Sequence, residues 1–158
     1  MKKSRKGTIA FSVVVFGAIL LLYSYFHVSG REIENAEKIS ADACTVTIVR
    51  YQHMEWEGRK EYRLGAAQIE ELKNLILKSS FTKDLSGAVI FKDRDMYDIR
   101  VKFDNGQDFI GIDCIGNEYI TVWDQFDGKH LKINNPNWKA ILEGLIESAE
   151  AQEIKAIK

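Results

Sequence analysis

Apolar positions along the chain fall into three patterns, and each predicts a different element. The first is a continuous run. Thr8 to Phe26 contains 19 residues without a charge or a proline. A helix rises about 1.5 Å per residue, so this run nearly crosses a hydrocarbon core of about 30 Å. Inside lipid a helix satisfies every backbone amide within its own segment. The second pattern is alternation with period two, which predicts strands. Cys44, Val46 and Ile48 alternate with Thr45, Thr47 and Val49 between Ala43 and Tyr51. Tyr97, Ile99, Val101 and Phe103 alternate with Asp98, Arg100 and Lys102. The third is a period near 3.6, which predicts amphipathic helices. Ile69, Leu72, Leu75 and Ile76 share one stripe of Ala66 to Lys78. Trp138, Ile141, Leu142, Leu145, Ile146 and Ala149 form another, opened by Asn135 as a cap and by Pro136 in the first turn.

Turn residues connect these elements. Glu57-Gly58 predicts a hairpin returning through Lys60 to Leu64. Ser79-Ser80 ends the first amphipathic helix. A meander follows: Ala88 to Lys92, the turn Asp93-Arg94-Asp95, the Tyr97 strand, and then Asn105-Gly106, which predicts a type I′ turn. Asp108 to Ile115, Glu118 to Gln125 and Lys129 to Ile133 continue it, separated by Gly116-Asn117 and Asp127-Gly128. The order is hairpin, helix, meander, helix. It predicts an α+β two-layer domain over 43–150, an antiparallel sheet covered on one face by two helices. Residues 29–42 are polar and charged with few large apolar groups, and read as a stalk. Residues 151–158 read as a frayed tail.

Charge sets the orientation of the first segment. Lys2, Lys3, Arg5 and Lys6 precede the apolar run with no acidic residue among them. Residues 1–7 are therefore expected to stay in the cytoplasm, with 8–28 as a transmembrane anchor. Tyr23, Tyr25 and Phe26 lie at the far end, where aromatic rings favour the interface. The competing reading is a cleaved signal peptide, whose apolar region usually spans about 7–15 residues before a small-residue cleavage site. Both readings place the domain outside the cytoplasm, the first as a single-pass protein of the cell membrane. The chain carries 22 basic and 23 acidic residues. Its first 30 residues hold four of the basic ones and no acid, so the remainder has 18 against 23, a net charge of −5. That balance argues against nucleic acid as a partner, since nucleic acid requires a basic surface.

The candidate chemistry is sparse. Cys44 and Cys114 lie outside any CxxC or paired-His spacing, which removes the case for zinc. They read either as a disulfide closing a loop of about 70 residues, worth roughly 4 kcal/mol, or as two small buried hydrophobes. The acidic groups Asp93, Asp95 and Asp98, Asp104 and Asp108, and Asp124 and Asp127 lack the spacing of a calcium loop and read as turn chemistry. His53 and His130 have no Ser or Cys in a known nucleophile motif. No cofactor or metal is expected, and no enzyme.

Aromatic residues supply the binding candidates. Met54 and Trp56 lie near the tip of the first hairpin. Tyr119 and Trp123 alternate away from Ile120 and Val122, so they, Arg100 and Lys102 are expected on the sheet face the helices leave open. Exposed Trp, Tyr, Met and Arg are common anchors of protein interfaces. The first functional expectation is thus a membrane-tethered binding or accessory module engaging a protein or peptide. The alternative is a cell-envelope hydrolase using Asp98, Asp124 and Asp127 with His130. The stretches Tyr62-Arg63-Leu64, Ile69-Glu70-Glu71-Leu72-Lys73, Asn117-Glu118-Tyr119-Ile120 and Leu131-Lys132-Ile133 resemble small membrane-anchored domains of unknown function in Gram-positive bacteria. That resemblance implies a location outside the cytoplasm and no activity.

Overall fold

The computed structural model describes residues 4–52, 59–84 and 94–153, with side chains from residue 11 to 149 of these. The architecture is α+β. A helix, α1 (Ser4–Phe26), leads into a short strand, β1 (His27–Ser29). There follow β2 (Cys44–Tyr51), β3 (Lys60–Arg63), α2 (Ala66–Lys78) and β4 (Ser80–Lys83). The meander is β5 (Met96–Phe103), β6 (Phe109–Ile115), β7 (Tyr119–Val122) and β8 (Leu131–Ile133). Helix α3 (Trp138–Glu147) and strand β9 (Glu150–Glu153) close the described chain. All neighbouring strands pair antiparallel, in the order β1-β4-β8-β7-β6-β5-β2-β3-β9.

The alternation read from sequence decides which side of the sheet is dry. Ile48, Ile99, Ile112 and Val122 stand in register across four strands, and all are buried. Against them α2 lays Ile69, Leu72, Leu75 and Ile76, and α3 lays Trp138, Leu142, Leu145 and Ile146. Trp138 meets Phe81 of β4 edge to face, ring centroids 5.6 Å apart. A polar chain also ties α3 to the sheet. The Tyr97 hydroxyl donates to Glu143 at 3.0 Å, and Arg50 lies over the Tyr97 ring while donating to Asp95.

The stalk expected over 29–42 is instead part of the domain. Val28, Ile33, Ala36 and Ile39 are buried in the main core. Two 3-10 turns, Gly30–Glu32 and Ala36–Lys38, fold this segment against α2. Ser29 and Glu32 form a reciprocal cap on the first turn. Three large apolar side chains spaced five and six apart fit neither a helical nor a strand period, so the burial left no pattern to read. The tail expected to fray from residue 151 pairs through β9 with β3 as far as Glu153.

Three further expectations change. Asn105-Gly106 does not make a type I′ turn, because only Gly106 has positive φ, 71°. Asn105 instead uses its side-chain oxygen to accept from the backbone N–H of Gln107 and of Asp108. The strand expected to run to Gln125 stops at Val122, since Asp124, Phe126 and Asp127 adopt left-handed backbone. The segment expected to cross a membrane at 8–28 is helical only to Phe26, after which His27 to Ser29 leave it for the sheet. Among the described residues no helix is long and apolar enough to cross a membrane. What α1 does present is bare apolar surface. Phe11, Val13, Val14, Phe16, Leu21 and Leu22 are all exposed, Phe11 to 71 %.

Candidate sheet-face binding site

The sheet face turned away from α2 and α3 carries the candidate site, and strand register builds it row by row. In one row Phe109, Lys102 and Thr45 stand side by side. In the next are Gly111, Arg100, Thr47 and Arg63. In the third are Thr121, Asp113, Asp98, Val49 and Glu61. Thr45, Thr47, Glu61, Arg63, Arg100, Lys102 and Phe109 line a groove of about 430 Å³. The other end of the face is closed: Val49, Tyr51 and Ile115 are buried.

Arg100 is held from both sides. Its Nε and Nη2 both donate to one oxygen of Asp98, at 2.9 and 2.5 Å. Its guanidinium lies 5.9 Å from the Trp123 ring centroid, a cation–π arrangement. Asp98 is only 3 % exposed, and its Oδ1 has no hydrogen-bond partner among the described residues. A buried carboxylate in this state depends on its arginine, because removing one partner of a buried pair leaves the other charge uncompensated. Arg100 is thus fixed in place rather than free to sweep the surface.

Directly across from Asp98 stands Asp113. Burial pushes the Asp113 carboxyl above its ordinary range, and the Asp98 charge adds to that. The Trp123 indole N–H donates to Asp113 at 2.8 Å and counteracts part of the rise. Two carboxylates directly opposed across a strand pair repel each other. Trp123 and Arg100 each offset one of them.

Trp123 occupies its place because Gly111 lacks a side chain. The Trp123 N–H bonds the Gly111 carbonyl at 2.9 Å, so the two residues face each other across β6 and the end of β7. A Cβ on Gly111 would sit 2.5 Å from the indole Cδ2. The indole therefore lies flat over the glycine, meeting Phe109 at 5.7 Å between centroids. Trp123 remains 39 % and Phe109 44 % exposed.

Of the residues expected to bind a partner, the sheet face gathers Arg100 and Trp123 at the groove. Tyr119 shares the face but lies in register with Ile115 and Lys132, about 13 Å along the strand from Trp123. Met54 and Trp56 lie outside the described residues, as do His53, Asp93 and the strand expected at Ala88 to Lys92. Lys102, expected on the same open face, also lines the groove, whereas Arg63, Phe109, Gly111 and Asp113 were not among the expected site residues. Their period-two spacing signalled a face, but only the register of four strands makes them neighbours.

The two cysteines do not form the disulfide considered from sequence. Both thiols are free and buried. Cys44 is in register with Phe103 and Cys114 with Tyr97, six positions apart on β5, or about 20 Å. A disulfide requires Cα atoms within about 7 Å. The Cys44 thiol donates to the Ser40 carbonyl at 3.1 Å. Burial pushes the Cys114 thiol up to about 12. The Trp138 indole N–H has no nitrogen or oxygen acceptor among the described residues, and this thiol is its polar neighbour.

The groups of the hydrolytic alternative do not converge. The His130 ring engages the Thr121 hydroxyl at 2.7 Å beside β7, while Asp98 lies on β5, about 10 Å from Thr121 across two strand spacings. Asp124 and Asp127 are exposed in the left-handed turn after β7. No group of three metal-binding side chains occurs among the described residues. No known protein family matches the chain, and no curated protein or solved structure matches it significantly.

Proposed function

We propose that this protein is a membrane-tethered binding module, without catalysis of its own, that presents one sheet face to a protein or peptide partner. The observation that carries the reading is the groove at the open end of the sheet face turned away from α2 and α3, walled by Phe109 and backed by Trp123 and a clamped Arg100. Large aromatic groups and arginine on a fixed scaffold lose little side-chain entropy on binding, which makes them effective anchors.

The tether is α1. The apolar run from Thr8 to Phe26 and the basic residues before it favour a single crossing with the N-terminus in the cytoplasm. The exposure of its side chains from Phe11 onward supports this, because apolar surface of that extent is normally covered by lipid or by a partner. The helix runs directly into β1, with no flexible stalk between. The domain would therefore sit close against the outer membrane surface in a restricted orientation.

The test is site-specific photo-crosslinking in native membranes. A photo-reactive amino acid at Phe109 is expected to capture a protein, and the same group at Lys73, on α2, is not. Equal capture from both positions, or none from Phe109, would refute the reading. The tether is checked separately by alkaline extraction. Release of the full chain from the membrane at high pH would remove it.

A further inference from the structure

Resting on the binding-module reading, we propose that the groove selects an acidic peptide segment, one with carboxylates flanking an apolar side chain. The charge of the groove is opposite to that of the domain around it. Beyond residue 30 the chain holds 18 basic and 23 acidic residues, yet the groove gathers Arg63, Arg100 and Lys102 against Glu61 alone. Arg100 is neutralised by Asp98, but Arg63 and Lys102 form no ion pair among the described residues.

Register gives these cations a geometry. Arg63, Thr47 and Arg100 stand in one row, so the two arginines rise from strands on either side of Thr47, about 10 Å apart at their bases. Lys102 lies two residues from Arg100 on the same face, next to Thr45. A carboxylate seated above Thr47 is within reach of the Arg63 guanidinium and lies beside the clamped Arg100, and a second above Thr45 is within reach of Lys102. The threonine hydroxyls on the floor can donate to either. The side chain between the two carboxylates then meets the exposed ring of Phe109, backed by Trp123. Arginine pairs with carboxylate through two parallel N–H donors, which adds geometric selectivity to the attraction.

The inner carboxylates sharpen the selection. Asp98 and Asp113 lie in the row beyond, on the Arg100 side of the groove. Asp98 is held by Arg100, so Asp113 is the carboxylate left to repel acidic groups placed too deep, which limits how far along the face the peptide can lie. A basic peptide meets the reverse arrangement, with its charges over Arg63 and Lys102.

The experiment is fluorescence anisotropy on the full chain in neutral detergent micelles. The probe is a labelled peptide alternating aspartate and leucine, compared with versions carrying asparagine or lysine for aspartate. The aspartate peptide is expected to bind at least about tenfold tighter than the asparagine peptide, and to weaken as salt is raised. The double variant Arg63→Gln/Lys102→Gln is expected to lose about tenfold for the aspartate peptide. Lys73→Gln/Lys78→Gln, the same charge change on α2, is expected to leave binding unchanged. Equal affinity for the three peptides, or an unaffected Arg63→Gln/Lys102→Gln variant, overturns the proposal. So does tighter binding of inorganic polyphosphate through the same two residues, which would make the groove a phosphate-polymer site. If no peptide binds while Phe109 still crosslinks a protein in membranes, the acidic selectivity falls and the binding module stands. If both fail, both fall.

Discussion

The packing of Trp123 on Gly111 makes a quantitative prediction about the candidate site. A methyl group at Gly111 would lie 2.5 Å from Cδ2 and 2.8 Å from Cγ and Cε3 of the indole, so in Gly111→Ala the ring must leave. Three interactions go with it. The charged hydrogen bond to Asp113 contributes about 1.5–3 kcal/mol. The cation–π contact with Arg100 contributes about 0.5–1 kcal/mol at an exposed site. The aromatic contact with Phe109 contributes about 0.5–1.5 kcal/mol. Trp123 is more than a third exposed, so water replaces part of each. The expected destabilisation is therefore about 2 kcal/mol, just below the low end of the summed ranges. In a Trp123→Ala background the obstruction is gone. Gly111→Ala should then be neutral, or stabilising by about 0.5–1 kcal/mol, because glycine in a strand is entropically unfavourable relative to alanine. Gly111 has no positive φ to oppose the change. The assay is urea unfolding of all four proteins, followed by far-ultraviolet circular dichroism, and the coupling is read from the double-mutant cycle. A coupling below about 0.5 kcal/mol, the ordinary scatter of independent sites, would refute the packing argument.

Other outcomes follow from the same structure. Ile33→Ala should cost about 2–4 kcal/mol, as for any large-to-small change in a core; a stalk residue would cost almost nothing, so a neutral urea midpoint would contradict the burial of this segment. Asp113 has a raised carboxyl, so the folded state holds its proton to higher pH than the unfolded state does. The resulting penalty is absent below the ordinary carboxylate range and fully present above the raised value. Asp113→Asn should therefore be more stable than the parent at neutral pH, with the gap closing as pH falls toward 4, and melting curves showing no pH-dependent gap would refute it. Cys44 and Cys114 should resist thiol reagents until the chain unfolds, and reductant should not change the melting temperature; prompt modification in the native state would contradict their burial.

Where apolar side chains repeat with a regular period, the sequence alone located the elements. The period of Ile69, Leu72, Leu75 and Ile76 gives α2 with its observed ends, and the alternation of Tyr97 to Phe103 gives β5 and its two faces. Such elements are legible because each turn or pleat repeats the same exposure, so local spacing records which side is buried. The charge opposition between the basic N-terminus and the acidic remainder is likewise a property of the sequence. Tertiary structure decided the rest. Ile33 and Ile39 are buried by irregular turns against α2, where no period exists to reveal them. The edge strands β1 and β9, and β4 next to β1, are three or four residues long, too short for alternation to show. The cysteines occupy the same sheet layer but are separated along it by strand register. Arg63 and Arg100 flank Thr47, and Trp123 lies over Gly111, through pairings between residues 12 to 53 positions apart in one sheet. Helical and strand periods are written locally by the backbone, whereas neighbours across strands exist only once the whole sheet has chosen its order.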